Sequence, residues 1–137
     1  MALSWWQWTQ ALLGENKFAS VAHNVAFTSE GNQKVWKGYG AVSVAKASLE
    51  ALMRQMAVEY ASEGLATNCI QAGATRTPSF DMIPGSDSLA AMAKERNPFK
   101  KLTTPETVAN VVAMLVNSET FWVNGAIIKA DGGESLR

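Results

Sequence analysis

The spacing of apolar residues predicts an alternation of helices and strands along the chain. Helical spacing with few breakers marks residues 2–13 and 40–61. A third helix is expected after Thr104, with a buried stripe at Val108, Val111, Val112 and Leu115. Short apolar runs mark three strands, at residues 23–29, 66–71 and 123–129. This alternation is typical of an α/β fold, a parallel sheet with helices on its faces.

Residues typical of helix starts, helix ends and loops mark the boundaries of these elements. Thr104 offers a capping hydroxyl before Pro105, a typical helix start. Gly64 stands where the long helix is expected to end. A long connection over residues 73–84 and a short helix over 86–95 follow the second strand. With three strands and right-handed crossovers, the first strand is left with an exposed edge.

Tyr39 and Lys46 stand seven positions apart near the start of the helix predicted over residues 40–61. At about 100° per residue, seven steps fall about 20° short of two turns, so both side chains share one face. A nearby cation favours the phenolate and lowers the pKa of a tyrosine that exchanges protons near neutral pH. The alternative is an ordinary tyrosine and a solvated lysine, and the spacing alone leaves both open.

Composition removes several classes of function. The 137 residues include 12 basic and 12 acidic side chains, so the zero net charge suggests no nucleic-acid or membrane-surface partner. No apolar run is long enough to span a bilayer, and no secretory signal is expected. The single cysteine, Cys69, excludes an intramolecular disulfide and fits a reducing cytoplasm. With one cysteine and one histidine, no metal site is expected.

Several motifs in order carry a resemblance to a known family. They occupy residues 23–31, 39–50, 66–73 and 124–133. Together they resemble the C-terminal half of a short-chain dehydrogenase/reductase, over residues 5–134. The common form of that family has Tyr-x3-Lys, whereas Tyr39-x6-Lys46 and the following Ala-Ser-Leu-Glu50 resemble the divergent enoyl-acyl-carrier-protein reductase branch.

The resemblance implies the C-terminal half of a Rossmann-like, doubly wound parallel sheet, with the N-terminal half absent and residues 1–137 forming one partial domain. A dinucleotide fold needs a glycine-rich turn after its first strand, where helix N-terminal amides hold the pyrophosphate. This sequence has no such turn, since Gly38 and Gly40 lack a third glycine and Gly132-Gly133 precedes no helix. The family's acidic or basic residue that selects between NAD and NADP is absent as well, so the cofactor is NAD or NADP, and the chain alone is expected to be inactive.

The resemblance also implies catalytic roles. Tyr39 would be the proton donor or enolate stabiliser, and Lys46 would hydrogen-bond the nicotinamide ribose. Ser29, or as second choice Thr28, takes the place of the family's auxiliary residue. Enoyl reductases usually carry an aromatic hydroxyl there, so a serine departs from the branch. The alternative for Ser29 is a hydroxyl that caps a turn.

The loop after the second predicted strand would contact the carboxamide and phosphate of the cofactor. Its cofactor-binding residues are, by resemblance, Gly73, Ala74, Thr75 and Thr77. Many members of the family have a proline beside this glycine, whereas alanines flank it here. The segment that normally covers the substrate contains Phe80, Met82 and Ile83. These three suit an acyl chain, with ordinary packing as the alternative.

Three tryptophans fall within four residues, at Trp5, Trp6 and Trp8. They can pack in the core or form an oligomer contact, since aromatic residues are enriched at interfaces. The resemblance favours a homo-oligomer built through helices 2–13 and 40–61.

The implied reaction is hydride transfer from a reduced nicotinamide cofactor to the β-carbon of an enoyl thioester, followed by protonation. The expected substrate is thus an acyl thioester or another small molecule. Two alternatives stay open: a non-catalytic dimerisation module derived from such an enzyme, and a reductase of the same superfamily that acts on a keto group.

Overall fold

The computed structural model describes residues 1–116 and 122–137. Within them lie five α-helices and three strands, joined by loops and short 3₁₀ turns. In chain order they are α1 (Ala2–Gly14), β1 (Ala22–Thr28), α2 (Gly40–Glu59), β2 (Leu65–Ala72), α3 (Pro78–Asp81), α4 (Ser86–Arg96), α5 (Pro105–Val116) and β3 (Ile127–Ala130). The predicted helices and strands are all present, and α3 is an additional turn of helix within the connection predicted over residues 73–84.

The third strand begins later than predicted, at Ile127 instead of residue 123. Just before it, bonds from side-chain amides are mixed with backbone hydrogen bonds to β2. Asn124 Oδ1 accepts from the Thr67 backbone N–H at 2.9 Å, and Asn68 Oδ1 accepts from the Ala126 N–H at 3.0 Å. Gly125 has a positive φ of 74°, which bends the chain out of an extended conformation. The apolar run alone could not reveal these contacts.

The three strands form a parallel sheet in the order β1-β2-β3. This confirms the predicted α/β class with flanking helices. The central strand β2 is buried along nearly its whole length, as a parallel strand covered on both faces should be. Among the described residues, β1 pairs with β2 alone, so its other edge is open as expected.

Two apolar clusters lie on opposite faces of the sheet, because consecutive residues of β2 point to opposite sides. On one face Cys69 packs with Leu49 and Met53 of α2, and Trp5 of α1 covers this cluster. On the other face Ile70 packs with Val108 and Leu115 of α5, and the half-buried Val111 and Val112 complete the predicted stripe.

The tryptophans of α1 divide between the two roles considered for them. Trp5 faces the sheet, and its Nε1 donates to Oδ1 of the buried Asn24 at 2.7 Å. Trp8, about one turn further along α1, is 69% exposed. Trp5 is thus part of the core, while Trp8 remains available for a contact outside the chain.

Candidate active site

The predicted site residues collect at the carboxyl edge of the sheet. Thr28 of β1 lies beside Gln71 of β2 in the parallel register. Ser29 follows the end of one strand and Gly73 the end of the next, so both leave the sheet on the same side. In open parallel sheets this edge is where ligands bind.

Ser29 and Tyr39 meet at this edge. Their hydroxyl oxygens, Ser29 Oγ and Tyr39 Oη, are 3.3 Å apart, within hydrogen-bonding distance. Ser29 also precedes a 3₁₀ turn at Glu30–Asn32, but its side chain does not cap that turn. The alternative of a turn-capping hydroxyl is therefore wrong, and the serine contacts the tyrosine across the loop.

Gly31 makes room for the Tyr39 ring. A Cβ at this buried glycine would overlap the ring, at 2.9 Å from its Cζ atom. The Trp36 ring flanks Tyr39 on another side, with the two centroids 6.0 Å apart and the planes tilted by 45°. A cavity of about 170 Å³ opens beside the tyrosine between this loop and the start of α2.

Lys46 reaches the same strand end from the second turn of α2. Its Nζ donates to the Phe27 carbonyl oxygen at 2.7 Å. Phe27 and Ser29 are two residues apart, or about 7 Å of extended chain, so Lys46 and Tyr39 are held at neighbouring points of one strand end. Burial lowers the pKa of Lys46, and electrostatic interactions with Cys69 and Glu50 oppose that shift.

Thr28 has a different partner. Its Oγ1 donates to Glu50 Oε1 at 2.6 Å, and both residues are buried. This contact separates the two candidates for the auxiliary hydroxyl, because Thr28 is engaged inside the molecule whereas Ser29 faces Tyr39. The sequence reasoning missed Glu50. The available signal was a glutamate four residues after Lys46, next to the buried position Leu49.

The glycine at the end of β2 allows a close approach of protein atoms. A Cβ at Gly73 would lie 2.8 Å from Glu134 Oε2 and would also overlap the Thr103 hydroxyl. The same Glu134 oxygen accepts from the Ala74 backbone N–H at 3.1 Å. Burial raises the pKa of Glu134, and the Ala74 hydrogen bond opposes that shift. Within this loop the Thr75 hydroxyl donates to the Gly73 carbonyl at 2.9 Å.

The segment beyond this loop opens helix α3. Thr77 Oγ1 accepts from the Phe80 N–H at 3.2 Å and so caps α3. Phe80 is half-buried, whereas Met82 is 83% and Ile83 38% exposed. Ordinary core packing thus does not account for Met82. The three apolar side chains remain candidates for contact with a substrate.

An ion-pair cluster ties the Ser29 loop to helix α4. One guanidinium nitrogen of Arg96 lies 2.6 and 2.7 Å from the two carboxylate oxygens of Glu30. The same nitrogen donates to the Glu134 carbonyl at 3.1 Å, and Lys34 pairs with Glu30 at 2.9 Å. No sequence pattern pairs residues 66 positions apart, so this cluster was not predicted.

In the part of the chain that the structure describes, His, Cys, Asp and Glu side chains form no group of three that could hold a metal ion. None of the described helices is both long and apolar enough to cross a membrane.

The fold and this site define a short-chain dehydrogenase/reductase. A family profile described as Enoyl-(Acyl carrier protein) reductase matches residues 3–135, and the chain belongs to this family. It is 35% identical over 112 residues to the NADH-dependent enoyl-[acyl-carrier-protein] reductase of Enterococcus faecalis. The enoyl reductase of Candidatus Liberibacter asiaticus superimposes with a TM-score of 0.79 and 27% identity. An angucycline C-6 ketoreductase solved with bound NADP superimposes with a TM-score of 0.84 at 21% identity, which shows the shared fold.

The chain spans about half the length of these proteins. The matches cover 82% of this chain but 45% of the Enterococcus enzyme. They cover 86% of this chain and 46% of the Liberibacter enzyme. For the ketoreductase the shares are 99% and 51%.

Proposed function

We propose that this chain forms the catalytic half of an NAD- or NADP-dependent oxidoreductase that reduces an enoyl thioester. The observation that carries the proposal is the contact between Ser29 Oγ and Tyr39 Oη, 3.3 Å apart, beside Lys46 at the carboxyl edge of the sheet. The similarity to enoyl reductases over most of the chain supports the substrate class.

The residues present fit one end of a nicotinamide cofactor. The Lys46 ammonium has three N–H donors and the Phe27 carbonyl accepts one, which leaves donors for ribose hydroxyls. The glycine-rich turn that would hold the pyrophosphate is not in this sequence. The chain thus suits the nicotinamide and its ribose, and the glycine-rich turn for the pyrophosphate would have to come from a segment outside these 137 residues.

In the proposed reaction, a reduced nicotinamide cofactor supplies the hydride that adds to the β-carbon of the enoyl thioester. As the carbon–carbon double bond is lost, its electrons shift to the thioester oxygen as an enolate. Tyr39 donates a hydrogen bond to that oxygen, and Ser29 supports the tyrosine hydroxyl. The nearby Lys46 cation favours the developing negative charge. A proton from the Tyr39 hydroxyl, which solvent then reprotonates, passes to the enolate, and the α-carbon is protonated as the thioester carbonyl re-forms.

The serine at position 29 favours a second candidate, reduction of a keto group. A Ser–Tyr hydroxyl pair can bind a ketone oxygen, and Ser29 stands where enoyl reductases usually carry an aromatic hydroxyl. In this case Tyr39 would protonate the alkoxide that forms when hydride adds to the carbonyl carbon.

The two candidates are separated by an assay of the protein at its native length with crotonyl and 3-oxoacyl thioesters, each with NADH and NADPH. We expect the crotonyl thioester to be reduced. Turnover of the 3-oxoacyl thioester alone would establish the keto-reductase alternative. Turnover of neither, with no cofactor binding in a titration, would contradict both and favour the non-catalytic dimerisation module.

We further propose that the protein is a homo-oligomer built through α1 and α2. Both helices present apolar side chains that the chain itself does not cover: Leu3, Trp8, Val44 and Val58. Exposed aromatic and aliphatic residues on neighbouring helices suit an interface between copies. Light scattering on the purified protein would measure its mass, and a monomer at micromolar concentration would contradict this proposal.

A further inference from the structure

A buried carboxylate lies one helical turn beyond Lys46. Glu50 is only 6% exposed, an unusual environment for a glutamate, since burying an unpaired charge is unfavourable. Its Oε1 accepts from the Thr28 hydroxyl at 2.6 Å. A carboxylate buried at this position needs an explanation beyond packing.

Lys46 and Glu50 are four residues apart and so lie on the same face of α2. Each contacts one of two consecutive residues at the end of β1. Lys46 Nζ donates to the Phe27 carbonyl at 2.7 Å, and Glu50 accepts from the adjacent Thr28. The helix therefore holds this strand end through one cation and one anion, directly before Ser29.

The charges around Lys46 add to this geometry. Burial lowers the pKa of Lys46, and two groups raise it, the Cys69 thiol on β2 and the Glu50 carboxylate on α2. Burial raises the pKa of Cys69 to about 12, although Lys46 and the Arg54 guanidinium on α2 oppose this. Cys69 is thus an uncharged thiol at neutral pH. Of the two groups, Glu50 is the one that offsets the burial of Lys46 with a negative charge.

We propose that Glu50 and Thr28 are positioning residues for Lys46. The buried carboxylate favours the protonated form of the Lys46 amine beside the Phe27 carbonyl, and the Thr28 hydroxyl holds that carboxylate in place. The importance of this pair for turnover rests on the proposed function, in which Lys46 must be a cation to bind ribose and to favour negative charge on Tyr39.

The test is a pH titration of the Lys46 amine, followed by NMR at its Nζ and Cε atoms in isotope-labelled protein of native length. Loss of one signal in Lys46→Arg assigns the resonance. Glu50→Gln keeps an acceptor for Thr28 but removes the charge, so we expect the midpoint to move to lower pH. At a given pH below the midpoint, the fraction of neutral Lys46 amine should then rise by at least roughly threefold.

The matched control is Glu59→Gln, which removes an exposed carboxylate from the same helix and should leave the midpoint unchanged. A midpoint that stays in place in Glu50→Gln, or moves equally in both variants, would overturn the proposal. If Glu50→Gln does not fold, Thr28→Val and Thr28→Ser replace it. Loss of the hydroxyl in the valine variant should lower the midpoint and the serine should preserve it, whereas equal midpoints would overturn the proposal.

The titration is independent of catalysis, so its outcome separates this inference from the proposed function. A Lys46 midpoint that depends on Glu50 in a protein without reductase activity supports the positioning and contradicts the function. In an active enzyme, we expect the alkaline limb of the kcat/KM profile to move to lower pH in Glu50→Gln and not in Glu59→Gln. If neither the alkaline limb nor the Lys46 midpoint moves in Glu50→Gln, the positioning role of Glu50 is rejected, while the reductase assignment stands.

Discussion

At the scale of single residues, the position of the Tyr39 hydroxyl depends on small side chains around it. Gly31 leaves the space that the ring occupies, and Ser29 contributes the hydroxyl that meets it. Lys46 is anchored separately, by the Phe27 carbonyl. The side chains of Ser29, Tyr39 and Lys46 thus converge. Gly31 leaves space for the tyrosine ring, and the Phe27 carbonyl anchors the lysine.

Replacing Tyr39 by phenylalanine tests the proposed acid or oxyanion donor. We expect Tyr39→Phe to lower kcat/KM by at least about tenfold, since a group of this kind contributes that much or more. Tyr60→Phe is the matched control, because the buried Tyr60 hydroxyl finds no hydrogen-bond partner among the residues that the structure describes. Equal turnover in Tyr39→Phe and wild type would remove Tyr39 from the mechanism.

Replacing Gly31 by alanine tests whether the space at this glycine positions the Tyr39 ring. The added methyl group would overlap the Tyr39 ring, so Gly31→Ala should displace the hydroxyl and lower turnover roughly tenfold to a hundredfold. Gly40→Ala is the control, because a Cβ at this exposed position at the start of α2 meets no atom within 4 Å. Turnover and thermal unfolding should be measured together. Full activity in Gly31→Ala would show that the ring can move without consequence.

At the scale of elements, the loop after β1 is positioned by contacts remote in sequence. Glu30, directly after Ser29, is bound by Arg96 at the end of α4. The same guanidinium holds the Glu134 carbonyl, and the Glu134 carboxylate accepts from the Ala74 N–H in the loop after β2. The two loops of the candidate site are therefore connected through one partly buried network.

Replacing Arg96 by lysine tests this network. A lysine keeps the charge but has no second nitrogen to replace Arg96 Nε, which donates to the Arg137 carbonyl at 3.2 Å. We expect Arg96→Lys to lower the free energy of unfolding by roughly 1–3 kcal/mol and to speed amide hydrogen exchange over residues 30–38. Arg76→Lys is the control, because its ion pairs with Asp81 and Asp87 are exposed and should contribute little. Equal exchange rates in both variants would argue against a positioning role for Arg96.

At the scale of the whole molecule, two observations bear on whether a further segment completes the sheet: the open edge of β1 and the share of its relatives that the chain covers. The chain spans about half of its relatives, with 45% of the Enterococcus enzyme covered. The edge of β1 is unpaired among the described residues, and Val21 and Phe27 beside it are about half exposed. A further strand from a preceding, glycine-rich half would cover this edge and bring the pyrophosphate site.

The requirement for such a half can be tested on the 137-residue chain itself. We expect it to bind neither NAD(H) nor NADP(H) with useful affinity, because helix N-terminal amides at a glycine-rich turn are missing. Calorimetric titration would measure binding, and addition of a separately expressed glycine-rich half should restore it. A micromolar dissociation constant for the 137-residue chain alone would show that these residues already contain the whole cofactor site.

Local patterns predicted most of the fold because periodicity, glycine stops and capping residues act over a few neighbours. The long helix predicted over residues 40–61 appears at Gly40–Glu59, and the strand predicted over 66–71 at Leu65–Ala72. The predicted start of β3 was wrong because hydrogen bonds from the Asn124 and Asn68 side chains interrupt its regular ladder. Among the site residues, Gly73 was expected to let a ligand approach, and its space is filled by Glu134 and Thr103.

The sequence by itself determined the α/β class, the family and the choice of Tyr39, Lys46 and Ser29 as candidates. These follow from spacing along one helix and from motifs in order. Only the tertiary structure decided that Ser29 rather than Thr28 meets the tyrosine, that Thr28 donates to the buried Glu50, and that Arg96 supports the loop. Each of those contacts joins residues at least ten positions apart, and such a pairing depends on how the elements pack.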